Sequence, residues 1–305
     1  MYKVMKNRVW RPFVGGKLLD EFQGAATGVD GHYPEEWVCS TVSAKDGTGL
    51  SRLEDGRTLK EVIGRDLDVL VKVLDSCTRL MIQVHPDRER AMRYFNSPFG
   101  KTEAWYILDT RKVNGEDPYV LLGFQEGITR EKWMELYEKQ DVEGMIKAMH
   151  KIPVKKGDTF FIPGGVPHAM GTGVFFAEIQ EPTDITFRTE RISPDGKTLP
   201  EEDLHQGVGF DAMFSCFDYD GRSLEDTLKK FRLAPGEDGR IITEEQTPFF
   251  SMQLVEVEDR AEIQVEDYAI AVVLDGEDKG SEYYLDENTV FTGKQSILVC
   301  RGKAK

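Results

Sequence analysis

The run from Gly157 to Arg188, GDTFFIPGGVPHAMGTGVFFAEIQEPTDITFR, constrains the fold of this chain more than any other. It opens with a glycine and a short apolar strand pattern. Pro163, Gly164, Gly165 and Pro167 then force a tight turn, because proline fixes φ and glycine tolerates positive φ. The turn delivers His168 at a strand end with its imidazole aimed inward. Strand side chains alternate between faces, so Val174, Phe176, Glu178 and Gln180 share one face while Phe175, Ala177 and Ile179 take the other. Asp184, Thr186 and Arg188 are co-facial in the same way. A carboxylate and an arginine among apolar neighbours must satisfy each other or a ligand, since an unpaired buried charge is costly. With the histidine turn beside them, the stretch reads as one wall of a metal site.

Two further segments offer partners. In RLMIQVHPD, alternation puts Arg79, Met81, Gln83 and His85 on one face and Leu80, Ile82 and Val84 on the other, so two donors project together at i and i+2. In SPFGKTEAWYILDT, Glu103, Trp105 and Ile107 form one face, preceded by Lys101. Gln83, His85, Glu103 and His168 then make a four-ligand N/O set with one negative charge, which suits Zn²⁺ or another first-row divalent ion. On VLVKVLDS, Lys72 points with Leu70 and Leu74, against Val71 and Val73. His32 in a Gly/Asp-rich turn, His150 after a helical stretch and His205 in a loop read as solvated or helix-capping histidines.

Composition bounds the partners. The 305 residues carry a net charge of −15, with 40% hydrophobic and 30% charged residues. This is an ordinary globular balance that argues against nucleic acid or an anionic membrane as partner. An anionic small molecule must therefore be drawn in by local basic groups. The start MYKVMKNRVWRPF has no apolar core of a leader and no run of 18 apolar residues occurs, so a cytoplasmic protein is expected. Cys39, Cys77, Cys216 and Cys300 lie far apart and read as core residues.

Along the chain, residues 8–50 mix short apolar runs with glycines, suiting β structure and long loops at a barrel rim. Arg57 to Arg65 and DRERAMRYF read as short helices, and about 126–150 as a helical insertion between strands. Residues 192–209 are loop-like. From 213 onward, strand patterns alternate with turn residues and contain no histidine. The expectation is a mainly β protein, with a metal-binding domain over 1–212 and a second, metal-free β domain over 213–305.

Several of these motifs occur together in a known family. VLVK at Val69 to Lys72, Q-x-H-P at Gln83 to Pro86, GKTE at Gly100 to Glu103, P-x-G-x-x-H at Pro163 to His168, and AEIQ…DITFR at Ala177 to Arg188 resemble the class I (short-type) mannose-6-phosphate isomerases of the cupin superfamily. The resemblance runs through most of the first 200 residues. It implies a cupin (jelly-roll) barrel with a second cupin-like domain, and zinc on Gln83, His85, Glu103 and His168. It places Arg188, Lys101 and Glu178 in the catalytic sugar pocket, with Lys72, Met81 and Asp184 on the substrate side. The implied reaction interconverts mannose 6-phosphate and fructose 6-phosphate through an enediol, with Glu178 or Lys101 as base.

Three segments depart from the expected patterns. Met81 stands where a serine implicated in phosphate binding is usual, Thr189-Glu190-Arg191 replaces a Tyr-Asp continuation, and Thr172 replaces the asparagine of the histidine motif. Losing one hydroxyl-to-phosphate hydrogen bond costs about 1.5–3 kcal/mol, or about ten- to a hundred-fold in affinity. An isomerase of an unphosphorylated or different sugar, and a non-catalytic metal cupin that binds sugar, therefore stand as alternatives. In each case the partner is a small-molecule sugar or sugar phosphate, and the protein a monomer or homodimer.

Overall fold

The computed structural model describes residues 1–303 and is mainly β. Its longest strands fall where two-residue alternation is sustained: Leu70–Ser76, Glu103–Thr110 and Val174–Gln180 lie side by side and antiparallel. They form the middle of a seven-stranded sheet ordered Arg232–Leu233, Thr159–Ile162, Glu103–Thr110, Val174–Gln180, Leu70–Ser76, Glu35–Val38, Arg8–Val9. A five-stranded sheet, ordered Phe187–Arg188, Gln83–Val84, His168–Met170, Tyr119–Phe124, Met149–Pro153, faces it.

Each face of these sheets buries a different core. Leu74, Trp105, Ile107, Phe160, Val174 and Phe176 meet Val120, Leu122 and Met170 between the two sheets. Each such side chain contributes about 1.5–3 kcal/mol of burial. The opposite residues of the same strands, Val71, Val73, Tyr106, Phe175 and Ala177, pack on Met252, Ile270, Val272 and Leu298 of a six-stranded sheet, five of whose strands come from the C-terminal part of the chain. The outer face of the five-stranded sheet is covered by helices Arg130–Lys139, Val142–Lys147 and Phe210–Ser215 through Trp133, Tyr137, Met145, Met213 and Phe214. Thr129 caps the first of these, its side chain accepting from Lys132 N, and Gln140 ends it in the left-handed region at φ 49°. Among the described residues no helix is long and apolar enough to cross a membrane.

Several elements differ from expectation. The strand around Gln83 is only Gln83–Val84, so alternation does not extend back to residue 79: Leu80 lines the cleft described below, and Arg79 turns away to Glu190. His150 belongs to strand Met149–Pro153, its Nε2 2.9 Å from Arg222 O, because the helix before it ends at Lys147. Short helices at Lys17–Phe22, Phe210–Ser215 and Leu224–Phe231 were not foreseen; burial of Leu19, Phe22, Phe214 and Phe231 holds them. Tyr2–Lys3 pairs with Glu282–Leu285 in the six-stranded sheet, while Arg232–Leu233 pairs with Thr159–Ile162. Position 212/213 lies inside helix Phe210–Ser215.

Candidate metal centre and adjoining cleft

Three loops are pressed together at Pro86 and Asp87. A Cβ on Gly100 would lie 2.8 Å from Pro86 O, and one on Gly164 would lie 2.7 Å from Asp87 Cα, so only glycine allows this approach. Lys101 N donates to Pro86 O (3.0 Å) and Gly165 N to His85 O (2.8 Å). Sheet register completes the arrangement by setting His168 opposite Gln83, Gln180 opposite Glu103, and Glu178 between Lys72 and Trp105.

The side chains converge accordingly. His85 Nε2 lies 3.4 Å from Glu103 Oε2, His168 Nε2 3.3 Å from Glu103 Oε1, and Gln83 Nε2 3.2 Å from His168 Nε2. Turning the Gln83 amide over presents its oxygen at the same place. Each imidazole donates through Nδ1–H to a backbone carbonyl, His85 to Ile185 O and His168 to Val166 O (both 2.9 Å), which leaves both Nε2 atoms as acceptors facing the cluster. Burial, and after it the charge of Lys101, pushes the His85 pKa down to about 3; burial also lowers that of His168. Both rings are therefore neutral, as metal ligands must be. Burial alone would raise the Glu103 pKa, but the adjacent Lys101 cation leads the opposing influences, and the carboxyl is held well below its usual range. His85, Glu103 and His168 offer donor atoms within 4.8 Å of one another, and two neutral imidazoles, a carboxylate and an amide fit a divalent first-row ion.

Above this cluster opens a cleft. Its lining includes Lys72, Met81, Gln83, Lys101, Glu178, Asp184 and Arg188, so all ten residues singled out in the sequence fall in the cluster or the cleft. Lys101 Nζ lies 2.7 Å from His85 Nε2 and donates to Glu103 Oε2 at 3.0 Å. Lys72 Nζ sits 3.3 Å from Glu178 Oε1, and Trp105 Nε1 donates to both Glu103 Oε1 (3.1 Å) and Glu178 Oε2 (3.2 Å). Burial, and next the charge of Glu103, pushes the Glu178 pKa above its usual value. Arg188 is half-buried and donates to the carbonyls of Thr186 and Asp203 (both 3.2 Å).

Sequence reasoning missed two charged residues of the cleft. Arg11 and Glu35 line the cleft. Glu35 accepts from Trp37 Nε1 at 2.9 Å and pairs with Arg11 Nε at 2.8 Å. The Arg11 and Lys72 cations lie over the Trp37 ring at 5.0 and 5.3 Å from its centroid. The i, i+2 spacing of Glu35 and Trp37 in EEWV was the available signal; Arg11, in a loop, had none.

No family model matches the chain. It is 33% identical over 200 residues to the probable mannose-6-phosphate isomerase GmuF of Bacillus subtilis, covering 61% of this chain and 58% of that protein. It is 30% identical over 206 residues to the mannose-6-phosphate isomerase ManA of the same organism, covering 64% of this chain and 62% of that one. Over this stretch the chain is similar to mannose-6-phosphate isomerases. The matched stretch thus spans about 60% of the length of these curated relatives. The mannose-6-phosphate isomerase-like fold extends further than that stretch. The crystal structure of the mannose 6-phosphate isomerase from Bacillus subtilis superposes with a TM-score of 0.74 over 99% of this chain and 100% of that one, at 22% identity.

Proposed function

We propose that the protein is a metal-dependent aldose–ketose isomerase that interconverts mannose 6-phosphate and fructose 6-phosphate through an enediol. The observation carrying this reading is the convergence of Gln83, His85, Glu103 and His168 at the floor of a cleft whose walls present Lys72, Lys101, Glu178 and Arg188. A divalent ion on that N/O donor set, zinc by the character of the donors, supplies Lewis acidity toward sugar oxygens.

The chain's own groups move the proton. A base takes the proton from C2 of the open-chain aldose, the C–H electron pair becomes the C1=C2 bond, and O1 takes up a proton. Return of the first proton to C1, with loss of the O2 proton, gives the ketose. Of the two candidates Glu178 suits the base better, because it lines the cleft and burial beside Glu103 raises its pKa. Lys101, engaged by His85 and Glu103, balances charge at the floor, and Arg188 faces the anionic end of the enediolate or the phosphate. In deuterated solvent, product should gain deuterium with the wild type and none with Glu178→Gln. Undiminished incorporation in both Glu178→Gln and Lys101→Met overturns the assignment of either as base. No turnover by the zinc-loaded wild type in a coupled assay for ketose leaves a sugar-binding protein instead.

A second reading, an isomerase of unphosphorylated sugar, is favoured by Met81, which is buried on the cleft wall and has no donor for a phosphate oxygen. The kcat/KM for mannose 6-phosphate beside free mannose decides between them, with Met81→Ser as the probe of that wall.

We read the five- and seven-stranded sheets as a cupin barrel carrying the insertion at about 126–150, and the six-stranded sheet as a metal-free second domain. The seam is best placed after Leu233, the last residue paired into the seven-stranded sheet. Phosphosugars do not cross membranes unaided, so this substrate implies a cytoplasmic enzyme, working as a monomer or homodimer.

A further inference from the structure

Gln83 and Arg188 stand on strands of two residues each, Gln83–Val84 and Phe187–Arg188, with Arg188 registered opposite Gln83 at the edge of the five-stranded sheet. Strands this short do not fix their own position. The residue before Gln83 is instead held from both sides by the chain that follows Arg188. Ile82 N donates to Glu190 Oε1 (2.6 Å), and Ile82 O accepts from Thr189 N (3.0 Å) and Thr189 Oγ1 (3.2 Å).

Glu190 is itself gripped. Arg79 donates through Nη1 and Nη2 to its two oxygens, each at 2.7 Å, and the Arg79 Nη1 also donates to Leu80 O at 2.8 Å. Both side chains are buried, at 9% and 1% exposure, outside the cleft. A paired fork of this kind fixes orientation as well as distance, which a lysine could not do. Gln140 adds a second tie from the helical insertion, accepting from Arg191 N (2.7 Å) and donating to Thr189 O (3.2 Å). These contacts leave the segment 188–191 little freedom relative to residues 79–83.

We propose that Arg79 and Glu190 are positioning residues for the candidate site: their buried pair sets where Gln83 stands at the metal cluster and where Arg188 stands across the cleft. This rests on reading the cleft as the sugar site. It also gives the departure at Thr189-Glu190-Arg191 a role, since Thr189 and Glu190 supply the bonds to Ile82 that a longer sheet would have made.

The test replaces both charges with apolar side chains of similar length, Arg79→Met with Glu190→Met, because removing one partner alone leaves a buried charge and confounds stability with position. Zinc affinity is measured by chelator competition, KM and kcat with mannose 6-phosphate, and Tm in parallel. Loss of such an outer support costs a metal site about 10–100-fold in affinity. The double variant should therefore lose zinc affinity by about that factor and raise KM about ten-fold, with Tm near wild type. Zinc affinity and KM both within two-fold of wild type overturn the proposal, whatever Tm does. If the double variant does not fold, Arg79→Lys, which keeps the charge pair but loses the two-pronged grip on Glu190, is judged by the same criteria. If the wild type does not isomerise the sugar, the isomerase reading falls separately, and zinc affinity alone decides the positioning role.

Discussion

Replacing Glu282 by glutamine should stabilise the protein increasingly as pH rises. Glu282 is 1% exposed on strand Glu282–Leu285, and neither carboxyl oxygen has a hydrogen-bond partner among the described residues. Lys6 Nζ is 3.9 Å away and is bonded to Gly280 O instead. Burial first, and the Glu36 carboxyl second, push the Glu282 pKa well above the ordinary carboxylate range, against the weaker pull of Lys6 and Arg8. The native state thus keeps a proton that the unfolded chain releases above about pH 4.3. Below that pH both states are protonated and the variant should match the wild type. Above it the wild type loses about 1.4 kcal/mol of stability per pH unit until the folded pKa is reached, whereas glutamine loses nothing. Between pH 5 and pH 7 the advantage of Glu282→Gln should grow by about 1.4 kcal/mol for each pH unit that lies below the folded pKa. Urea unfolding of both proteins at pH 5, 6 and 7 measures it. Parallel stability curves over this range would show that Glu282 is ionised in the native state and refute the reasoning.

Three further outcomes follow from the site. His85→Ala and His168→Ala should each lower bound zinc per chain, read by metal analysis after chelation and reconstitution; full retention in both refutes the donor set. Gly100→Ala should lower Tm by several degrees and weaken zinc binding, because its Cβ would meet Pro86 O at 2.8 Å and force apart the loops carrying His85 and Glu103; unchanged Tm and zinc affinity would show that the loops yield without cost. Trp105→Phe keeps the ring's place beside His168, Phe160 and Phe176 but removes the donor shared by Glu103 and Glu178, and should cost about 1–3 kcal/mol in urea unfolding. No loss there would mean that the two carboxylates are satisfied without the indole N–H.

What was legible in the chain tracks how long each strand runs. Val174–Gln180 and Leu70–Ser76 run seven residues and Glu103–Thr110 eight, and the faces assigned by alternation are the faces that pack: Phe176 and Trp105 between the sheets, Phe175 and Val73 against the C-terminal sheet. Glu178, Lys72 and Glu103 share a face because a one-residue slip would have driven their charges into the apolar core formed with the C-terminal sheet. Where the strand shrinks to Gln83–Val84 that constraint vanishes, and the grouping of Arg79 with Gln83 fails with it. The helices at Lys17–Phe22 and Phe210–Ser215 are six residues each, too short to hold without the cores they cover, so no local periodicity announced them. Arg11 is the limiting case, a loop residue whose place is set by Glu35 and the face of Trp37. Alternation encodes which side of a strand a residue occupies, and it is silent about which partner will claim a charge. Nothing near Arg79 in the chain separates a guanidinium that lines the cleft from one that turns to a carboxylate 111 residues away, and only the folded packing around Ile82 makes that choice.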